Sequence, residues 1–536
     1  MAYSQPYGVS CRGGLNTNLN QLEMLGQPGF ATELKNFEVD ADGGYRRVNG
    51  YTDFGDTRPN SGERVLGLFV YADGLIVCSG TGIFFSIDGE ETWLQINRAS
   101  VSGSGDNYST FTGRSLAARS SQGQCTFALF EGNTDYGEVV ICDGANEPFL
   151  FKMTGTGGLT TRTFFATEIT VSGTTAPKVC AIHDHHLVVA GASTAKNTVF
   201  ISATDDIDSF SGTGSASIVM EDQVVGLKSF RTDLIIFCKN SIHKLININD
   251  SSNIAIVPVT KNVGCLNEHS IQEIGGDLVF LSPDGIRSVA GTARIGDVEL
   301  GSVSRQIQAL IKDLANSITS FVITSGVLRS KSQYRLFYSS TSANTTVSKG
   351  IIGTLTGNGF EWAETEGIQA HGFTSQINFE GVEKKFHGDN DGYIYNHDTG
   401  NSFIENGSAF NVDAKYTTPN FDFGDVGTRK TMYYIRISIS PEGTVLPTLR
   451  VRYDYESLDI PQPDDIVVTG IPIPAVFGDS ASTFGSAVFG TSKDPMFRQA
   501  IEGSGNVTNF KISTSDTNPP YAINGLYIDY VPSGRR

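Results

Sequence analysis

The feature that most constrains this chain is a run of short apolar segments separated by tight-turn residues. Within residues 65–97 four such segments follow one another, and the connections between them contain Asp73-Gly74, Gly80-Thr81-Gly82 and Asp88-Gly89. Asp-Gly and Gly-rich connections between apolar runs are typical of β-hairpins. We therefore predict a four-stranded antiparallel meander over these residues.

Similar units recur along the chain at a nearly constant spacing. Leu187, Leu234 and Leu278 occupy the same place in three successive units, at steps of 47 and 44 residues. A period of about 40–50 residues with four strands in each unit is typical of a β-propeller. We predict an all-β fold with a β-propeller of about six blades at residues 61–404. Residues 1–60 are predicted to form an N-terminal arm that includes the first propeller strands.

The segments after residue 404 are longer and alternate more regularly, as in Tyr434-Ile-Arg-Ile-Ser-Ile439. This pattern predicts a second, C-terminal β domain at residues 405–536, similar to a β-sandwich. A Gly/Phe-rich loop at about 455–500 interrupts it, and long loops in compact domains are often functional. Its aromatic residues either bind a partner or pack within the domain, and the candidate interface residues are Phe477, Phe484 and Phe489.

Helices are predicted to be few. One segment, Ser304–Leu314, has apolar residues at helical spacing, namely Ile307, Leu310, Ile311 and Leu314. Ser302 or Ser304 is suited to cap its N-terminus. We predict a single helix between two blades.

Charge and cysteine content exclude several classes of protein. Lys and Arg number 39 and Asp and Glu 57, which gives a net charge of −18. Binding to phosphates needs clustered basic residues. We therefore expect neither a surface that holds DNA nor a polybasic surface that binds a membrane. No apolar run is long enough to span a membrane. The seven cysteines form no Cys-x-x-Cys pair, as in proteins made in a reducing compartment.

Local motifs for chemistry are sparse. Ser86-Ile-Asp-Gly-Glu-Glu-Thr-Trp93 nearly matches the Asp box of sialidase-type propellers, which is a structural hairpin device. His183 and His185 have the i, i+2 spacing of zinc ligands on a strand, but a polar hairpin turn is the favoured interpretation. Asp205-Asp206 and Asp464-Asp465 are interpreted as solvated turns. We therefore predict no enzyme activity, and no catalytic, cofactor-binding or metal-binding residue is assigned.

Several short sequence segments, taken in their order along the chain, resemble those of a family of tail proteins from short-tailed bacteriophages. These are the β-propeller nozzle or hub proteins of the type that stabilises packaged DNA. The resemblance spans nearly the whole chain and rests on the following phrases: Cys11-Arg-Gly-Gly-Leu15, Gly43-Gly-Tyr-Arg-Arg47-Val-Asn-Gly-Tyr51, His185-His-Leu-Val-Val-Ala-Gly191, Phe237-Cys-Lys-Asn-Ser-Ile-His-Lys244, Gly276-Asp-Leu-Val-Phe-Leu-Ser-Pro-Asp-Gly285, Gly388-Asp-Asn-Asp-Gly-Tyr-Ile-Tyr395 and Gly534-Arg-Arg536.

The resemblance implies a structural virion protein, made in the host cytoplasm, that forms the lower tail channel as a homo-oligomer, a hexamer. Its implied partners are the tail adaptor, a tail fibre or spike, and a tail needle or plug. Genomic DNA would be retained in the channel and passed during ejection without specific binding. Arg46 and Arg47 are candidate interface residues, although an ordinary strand after a turn also accounts for them.

The alternative function is a propeller that binds or hydrolyses surface glycans in the manner of a sialidase. Such an enzyme needs an arginine cluster, a Tyr nucleophile with a Glu, and a further acidic residue. The chain contains these residue types, but no local motif places them together.

Overall fold

The structure, a computed structural model, describes residues 4–40, 43–87, 92–97, 110–112, 119–120, 122–132, 135–174, 176–250, 253–289, 302–340, 348–469 and 496–535. The N-terminal part of the chain contributes the short elements β1 (Gln5–Ser10), α1 (Gln21–Met24), β2 (Glu33–Lys35), β3 (Phe37–Val39), β4 (Tyr45–Arg47) and β5 (Tyr51–Asp53). Asn20 and Glu23 form a capping box on α1. This single turn is too short to show helical periodicity, so the sequence did not predict it.

From residue 65 to 288 the chain forms five successive sheets, which correspond to the apolar repeats. Their strands are β6 (Val65–Tyr71), β7 (Gly74–Ser79), β8 (Gly82–Ile87) and β9 (Leu94–Gln95); β10 (Thr110–Thr112), β11 (Thr126–Phe130), β12 (Glu138–Cys142), β13 (Phe149–Thr154) and β14 (Thr163–Glu168); β15 (Val179–His183), β16 (His186–Ala192), β17 (Ala195–Ile201) and β18 (Ala216–Val219); β19 (Val224–Phe230), β20 (Asp233–Cys238), β21 (Ile242–Ile246) and β22 (Ala255–Thr260); and β23 (Gln272–Ile274), β24 (Asp277–Ser282) and β25 (Gly285–Ser288). Consecutive strands pair antiparallel within each sheet, except that β10 pairs in parallel with β14 at the edge of its sheet. The predicted meander over residues 65–97 is confirmed.

Two further propeller sheets follow a helix, α2 (Gln308–Asn316). Their strands are β26 (Phe321–Leu328), β27 (Gln333–Ser340), β28 (Ser348–Thr356) and β29 (Gly359–Glu366), then β30 (Gly372–Ile377), β31 (Glu383–Gly388), β32 (Ile394–His397), β33 (Phe403–Glu405) and β34 (Ser408–Phe410). The N-terminal strand β5 pairs antiparallel with β32 and so supplies the fourth strand of the last blade. The ring is therefore closed by strands from distant parts of the chain.

The sheets form a β-propeller around a central channel. The channel is lined by one strand from each propeller sheet, in the order β6, β11, β15, β19, β23, β26 and β30. Counted over the described residues, six of the sheets contain a four-stranded antiparallel blade. The sheet β23–β25, with three described strands, occupies the ring between the blades that contain β19 and β26. The predicted all-β propeller with a C-terminal β domain and few helices is confirmed.

Glycines let neighbouring inner strands approach one another closely. A Cβ atom on Gly67 of β6 would lie 2.9 Å from Cβ of Cys125, which precedes β11. A Cβ atom on Gly372 of β30 would lie 2.9 Å from Cγ1 of Val65. Both distances are shorter than carbon atoms tolerate, so the ring needs glycine at these two positions.

The remainder of the chain forms a two-sheet sandwich. Its strands are β35 (Val412–Thr417), β36 (Thr428–Pro441), β37 (Thr448–Tyr453), β38 (Ile466–Val467), β39 (Met496–Ala500), β40 (Ser504–Gly505), β41 (Thr508–Asp516) and β42 (Tyr521–Arg535). One sheet has the order β3-β4-β42-β36-β39, with β1 on β42 and β40 on β36. The other is continuous with a propeller blade, because β29 pairs with β2 and the sheet continues through β35, β41, β37 and β38.

Propeller and sandwich share a hydrophobic core as well as a sheet. Trp362 and Tyr334 from the blade belong to the same buried cluster as Tyr416, Ile437 and Phe510 from the sandwich. A rotation of one part against the other would expose this apolar surface to water, which is unfavourable. The two parts are therefore joined as one rigid unit.

The predicted helix is present but begins later than the pattern suggested. The α-helix starts at Gln308, after a 3₁₀ turn at Arg305–Ile307, and Ser304 provides no side-chain cap. Its hydroxyl instead accepts a hydrogen bond from the Ile286 amide at 2.9 Å. The other short 3₁₀ turns are Leu159–Thr161, Glu268–Ser270, Ile318–Ser320, Arg329–Lys331 and Asp454–Glu456. Among the described helices, none has the length and apolar character that a membrane crossing requires.

Candidate functional site: the propeller channel and the buried junction

The propeller channel holds a cavity of about 500 Å³ between the inner strands. Most of its lining consists of backbone and small or apolar side chains. The titratable side chains that line it are Lys228, Glu268, His269, Glu273, His371, Cys125 and Cys180.

Polar side chains tie the inner strands together around and across this cavity. Gln272 Nε2 donates to the Ser325 carbonyl oxygen at 3.0 Å, which joins β23 to the adjacent β26. Gln124 Nε2 donates to the Ile323 carbonyl oxygen at 2.9 Å. Because Gln124 precedes β11 and Ile323 lies in β26, which are not neighbours in the ring, this bond crosses the channel.

The size of the channel limits what can pass through a single propeller. The major groove of B-DNA alone is about 12 Å wide and 8.5 Å deep. A cavity of about 500 Å³ that is bridged by a side chain does not admit a double helix. Duplex DNA could therefore pass this protein only outside the propeller channel.

The charges in the channel are largely compensated within the chain. The Glu268 carboxylate is buried and lies 2.6 Å from Lys178 Nζ. Burial acts to raise the pKa of Glu268, but His269 and Lys178 outweigh it, and the pKa is lowered. Burial lowers the pKa of Lys228, and Glu273 acts against that shift. The channel thus presents no uniform positive or negative field to a ligand.

A second polar site lies where the propeller meets the sandwich, and we call it the buried junction. Glu38 of β3 is at its centre. Its carboxylate oxygens lie 2.9 Å from Lys331 Nζ and 2.8 Å from NH2 of Arg335. Asp398 lies 2.8 Å from the same lysine nitrogen, and 3.2 Å from both the Arg335 guanidinium and Lys385 Nζ.

Electrostatic compensation keeps the acids of the junction ionised. Burial acts to raise the pKa of Glu38, but Lys331 and Arg335 dominate and lower it. The pKa of Asp398 is also lowered, against its burial, by Arg335, Lys331 and Lys385. Buried ion pairs of this kind add little net stability, yet removal of one partner leaves an uncompensated charge.

Two buried histidines extend the junction into the last blade. NH1 of Arg335 donates to Nε2 of His397 at 2.8 Å, and Nδ1 of His397 lies 3.2 Å from Nδ1 of His387. Because a guanidinium only donates, Nε2 of His397 must be unprotonated, and the ring is neutral. Burial lowers the pKa of His387 to about 3, and burial together with Arg335 lowers that of His397.

The structure places both arginines that were candidate interface residues within this region. Arg46 lies 3.1 Å from Glu38 and 2.7 Å from Glu442, and its side chain retains some exposure. Its role as an interface residue remains a prediction.

Arg47, in contrast, is fully buried and lies 2.9 Å from Asp516. It also donates to the carbonyl oxygens of Asn401 and Asn518. These contacts give Arg47 an internal structural role, and its role as an interface residue remains a prediction. The sequence alone does not show the three acceptors, which are more than 350 residues away.

The histidine run forms a hairpin turn, as favoured from the sequence. Asp184 and His185 have positive φ values of 46° and 67° between β15 and β16, as in a type I′ turn. His183 contacts Ser229, His185 contacts Asp205, and His186 contacts the Ser202 carbonyl and Asn249, so each ring has its own partner. Within the described part of the chain, no three His, Cys, Asp or Glu residues are arranged to hold a metal ion.

Other predicted site residues lie partly or wholly outside the described residues. Phe477, Phe484 and Phe489 belong to residues 470–495, which the structure does not describe. Residues 88–91 of the Asp-box-like segment are also outside it, whereas Trp93 donates from Nε1 to the Thr57 carbonyl at 3.0 Å.

The members of the buried junction were not predicted from the sequence. Glu38 and Arg335 are 297 residues apart, and neither belongs to a motif. The one available signal was a charged residue inside an apolar strand segment, since Arg335 is flanked by Tyr334 and Leu336 in β27. Such a residue indicates a buried partner but does not identify it.

No family model and no curated protein matches this chain. Among solved structures, it is similar to the extracellular domain of BT4673 from B. thetaiotaomicron (10% identity, 67% of this chain and 41% of that chain, TM-score 0.36). It is also similar to the Pan2 WD40 domain of Neurospora crassa (10% identity, 67% of this chain, 98% of that chain, TM-score 0.34) and to the exo-β-1,3-galactanase of Phanerochaete chrysosporium (9% identity, 90% and 100%, TM-score 0.26). The chain spans about two fifths of the BT4673 domain. At these TM-scores the likenesses carry no argument about function.

Proposed function

We propose that this protein is a structural component of a virion, which forms the lower tail channel of a short-tailed phage as a ring of copies below the portal–adaptor complex. The observation that carries the proposal is the rigid union of propeller and sandwich. One nine-stranded sheet runs from a blade into the sandwich. A wall that retains packaged DNA needs subunits that do not flex between their domains.

The buried junction supports this role because it fixes the same two parts with charges. Glu38 belongs to a strand of the sandwich, while Lys331 and Arg335 lie at a propeller blade. Separating the parts would remove Glu38 from both of these cations, which is costly. The propeller and the sandwich are therefore held against both bending and sliding relative to each other.

The net charge supports the passage of DNA without binding. The chain carries a net charge of −18, and a wall of the same sign as phosphate repels the double helix. Because the propeller channel does not admit duplex DNA, the conduit in this proposal lies on the axis of the ring, between copies. Each propeller then serves as a building block whose edges are short and protected.

The loop that contains Phe477, Phe484 and Phe489 contacts a neighbouring subunit, a fibre or a tail plug in this proposal. The test is a phage in which residues 477–489 are deleted, compared with one that carries Phe379→Ser, an exposed aromatic on the propeller. We expect the deletion to reduce tail assembly or DNA retention at least tenfold, with the substitution near wild type. Normal particles from the deletion would refute the role of the loop.

A glycan-active propeller is the competing function, and a direct assay separates the two. The purified protein is screened for binding to, and hydrolysis of, surface glycans from its host. The proposal predicts no turnover and no saturable binding. Specific hydrolysis or binding would instead make the glycan-active propeller the better account.

A further inference from the structure

The seven-stranded sheet of the sandwich has an outer face that carries aromatic and basic side chains. Four of its strands, β1, β42, β36 and β39, are neighbours in that order. Side chains alternate between the two faces of a strand. In β36, Ile435 and Ile437 are fully buried in the core, so Tyr434 and Arg436 project from the opposite face. This face is therefore separate from the core that the sandwich shares with the propeller.

The strand register identifies the other members of this face. Tyr527 of β42 and Arg498 of β39 both lie opposite Arg436, one on each side of it. Met496 of β39 lies opposite Ser438, two residues further along β36. Directly opposite residues share a face of the sheet, so Tyr, Arg and Met are combined here, and these residue types are enriched in protein interfaces. We define the outer patch as Tyr434, Arg436, Met496, Arg498 and Tyr527.

The apolar and aromatic members of the outer patch are accessible to a partner. Met496 is 52% exposed and Tyr527 is 43% exposed. The Tyr527 ring lies against β1 at Gly8, where an added Cβ atom would be 2.8 Å from Cε1 of the ring. The Tyr434 ring is covered by the guanidinium of Arg498, whose central carbon is 3.6 Å from the ring centroid. Both rings are thus supported by the sheet, so a partner would meet a preorganised surface.

The two arginines of the outer patch face each other across neighbouring strands, and like charges in this position are destabilising. Arg436 is compensated, because its NH2 lies 2.9 Å from Oδ2 of Asp529. Arg498 forms no ion pair with any carboxylate in the described part of the chain, and its contact is the Tyr434 ring. With two arginines and one aspartate this face is positive, and the Arg498 guanidinium is free to bind a carboxylate from another molecule.

We propose that the outer patch binds a second copy of this chain, and that Arg498 pairs there with a carboxylate of that copy. The inference rests on the ring of copies in the proposed function and adds the face through which neighbouring copies bind. Charge complementarity selects the occupant, because the chain has 57 acidic and only 39 basic residues and so presents an excess of carboxylates to a positive face.

The sign of the outer patch also determines the kind of contact. Two outer patches that faced each other would bring the Arg498 side chains of both copies together, which is unfavourable. The patch of one copy therefore binds a different, acidic surface of the next copy. Such a heterologous contact closes into a ring when the rotation between copies allows it.

The first test is sedimentation velocity of the purified full-length chain over a range of concentrations. We expect self-association that Arg498→Glu weakens by about tenfold or more. Arg231→Glu is the matched control, since Arg231 is also an exposed arginine over an aromatic ring, that of Phe230 on the propeller. A wild-type chain that is monomeric at every concentration, or equal effects of both variants, would overturn the proposal. Self-association that Arg498→Glu leaves unchanged would refute the patch but not the ring, whereas the tail location is decided separately by labelling of particles.

The second test identifies the contact itself and remains decisive if Arg498→Glu does not fold. Arg498→Lys keeps the positive charge and supplies an amine, which a carbodiimide couples to a carboxylate in contact with it. Isotopically light and heavy chains are mixed, coupled and digested for mass spectrometry. We expect a link from position 498 to an acidic residue of the other isotopic form. Links within one chain only, or no link at position 498, would contradict the proposal.

Discussion

A carboxylate oxygen of Glu38 lies 2.8 Å from the Arg335 guanidinium, and this contact joins a strand of the sandwich to a strand of the propeller. Both side chains are buried. Opposite charges are thus buried where the propeller contacts the sandwich. The two parts also share one β-sheet and one hydrophobic core.

Substitution of Glu38 by Gln tests the importance of this charge. It removes one of the two negative partners of Lys331 and Arg335, the other being Asp398, but keeps the shape of the side chain. We expect a loss of about 3 kcal/mol in the free energy of unfolding, measured in urea, because the buried cations are left only partly compensated. Glu442→Gln, at a half-exposed partner of Arg46, is the control and is expected to cost less than about 1 kcal/mol. Equal effects of both variants would contradict the account.

The buried histidine His387 predicts a pH dependence of stability. Its pKa of about 3 in the folded state lies below the ordinary value of about 6.5, so the unfolded chain binds more protons between these values. Stability therefore rises with pH across this window and is lost on acidification. At pH 5 the expected loss is about 2 kcal/mol relative to pH 8. His387→Gln should remove this contribution from the profile; an unchanged profile would show that His387 does not titrate as described.

The close approach of the inner strands predicts that Gly67 does not tolerate a side chain. Gly67→Ala places a methyl group against Cys125 and should cost about 1–3 kcal/mol through overpacking. Gly357→Ala is the matched control, because no atom lies within 4 Å of its added Cβ. Thermal unfolding of both variants is the measurement, and a stable Gly67→Ala protein would refute the tight ring.

The internal role of Arg47 predicts that lysine cannot replace it. Arg47→Lys keeps the charge but loses the fork that reaches Asp516 and two carbonyl groups. We expect a loss of about 2 kcal/mol. The exposed Arg498, which lies over the Tyr434 ring, provides the control, since Arg498→Lys should cost about 0.5 kcal/mol. If Arg47→Lys alters assembly but leaves stability unchanged, an interface role is favoured after all.

The propeller could be predicted from the sequence because its signal is local. Each blade is a series of hairpins, and a turn such as Asp73-Gly74 can be recognised from a few consecutive residues. The closure of the ring could not be predicted in this way. β5 completes the last blade, with Thr52 paired opposite Asn396. A strand of only three residues carries no pattern that indicates so distant a partner.

The candidate sites were harder to predict for the same physical reason. A turn built around His185 depends on its neighbours in sequence, and its interpretation as a turn is confirmed. The surroundings of Arg47 depend on Asn401, Asp516 and Asn518, which only the tertiary fold brings together. Charge burial at such a junction is a property of packing, and the local pattern does not encode the partner.

The central claim, that this protein is part of a phage tail, is tested most directly by immunogold electron microscopy. Antiserum to the purified chain is applied to particles from a lysate that contains it, with preimmune serum as the control. The account predicts gold label at a single vertex of each particle. Unlabelled particles, with the antigen free in solution, would contradict it.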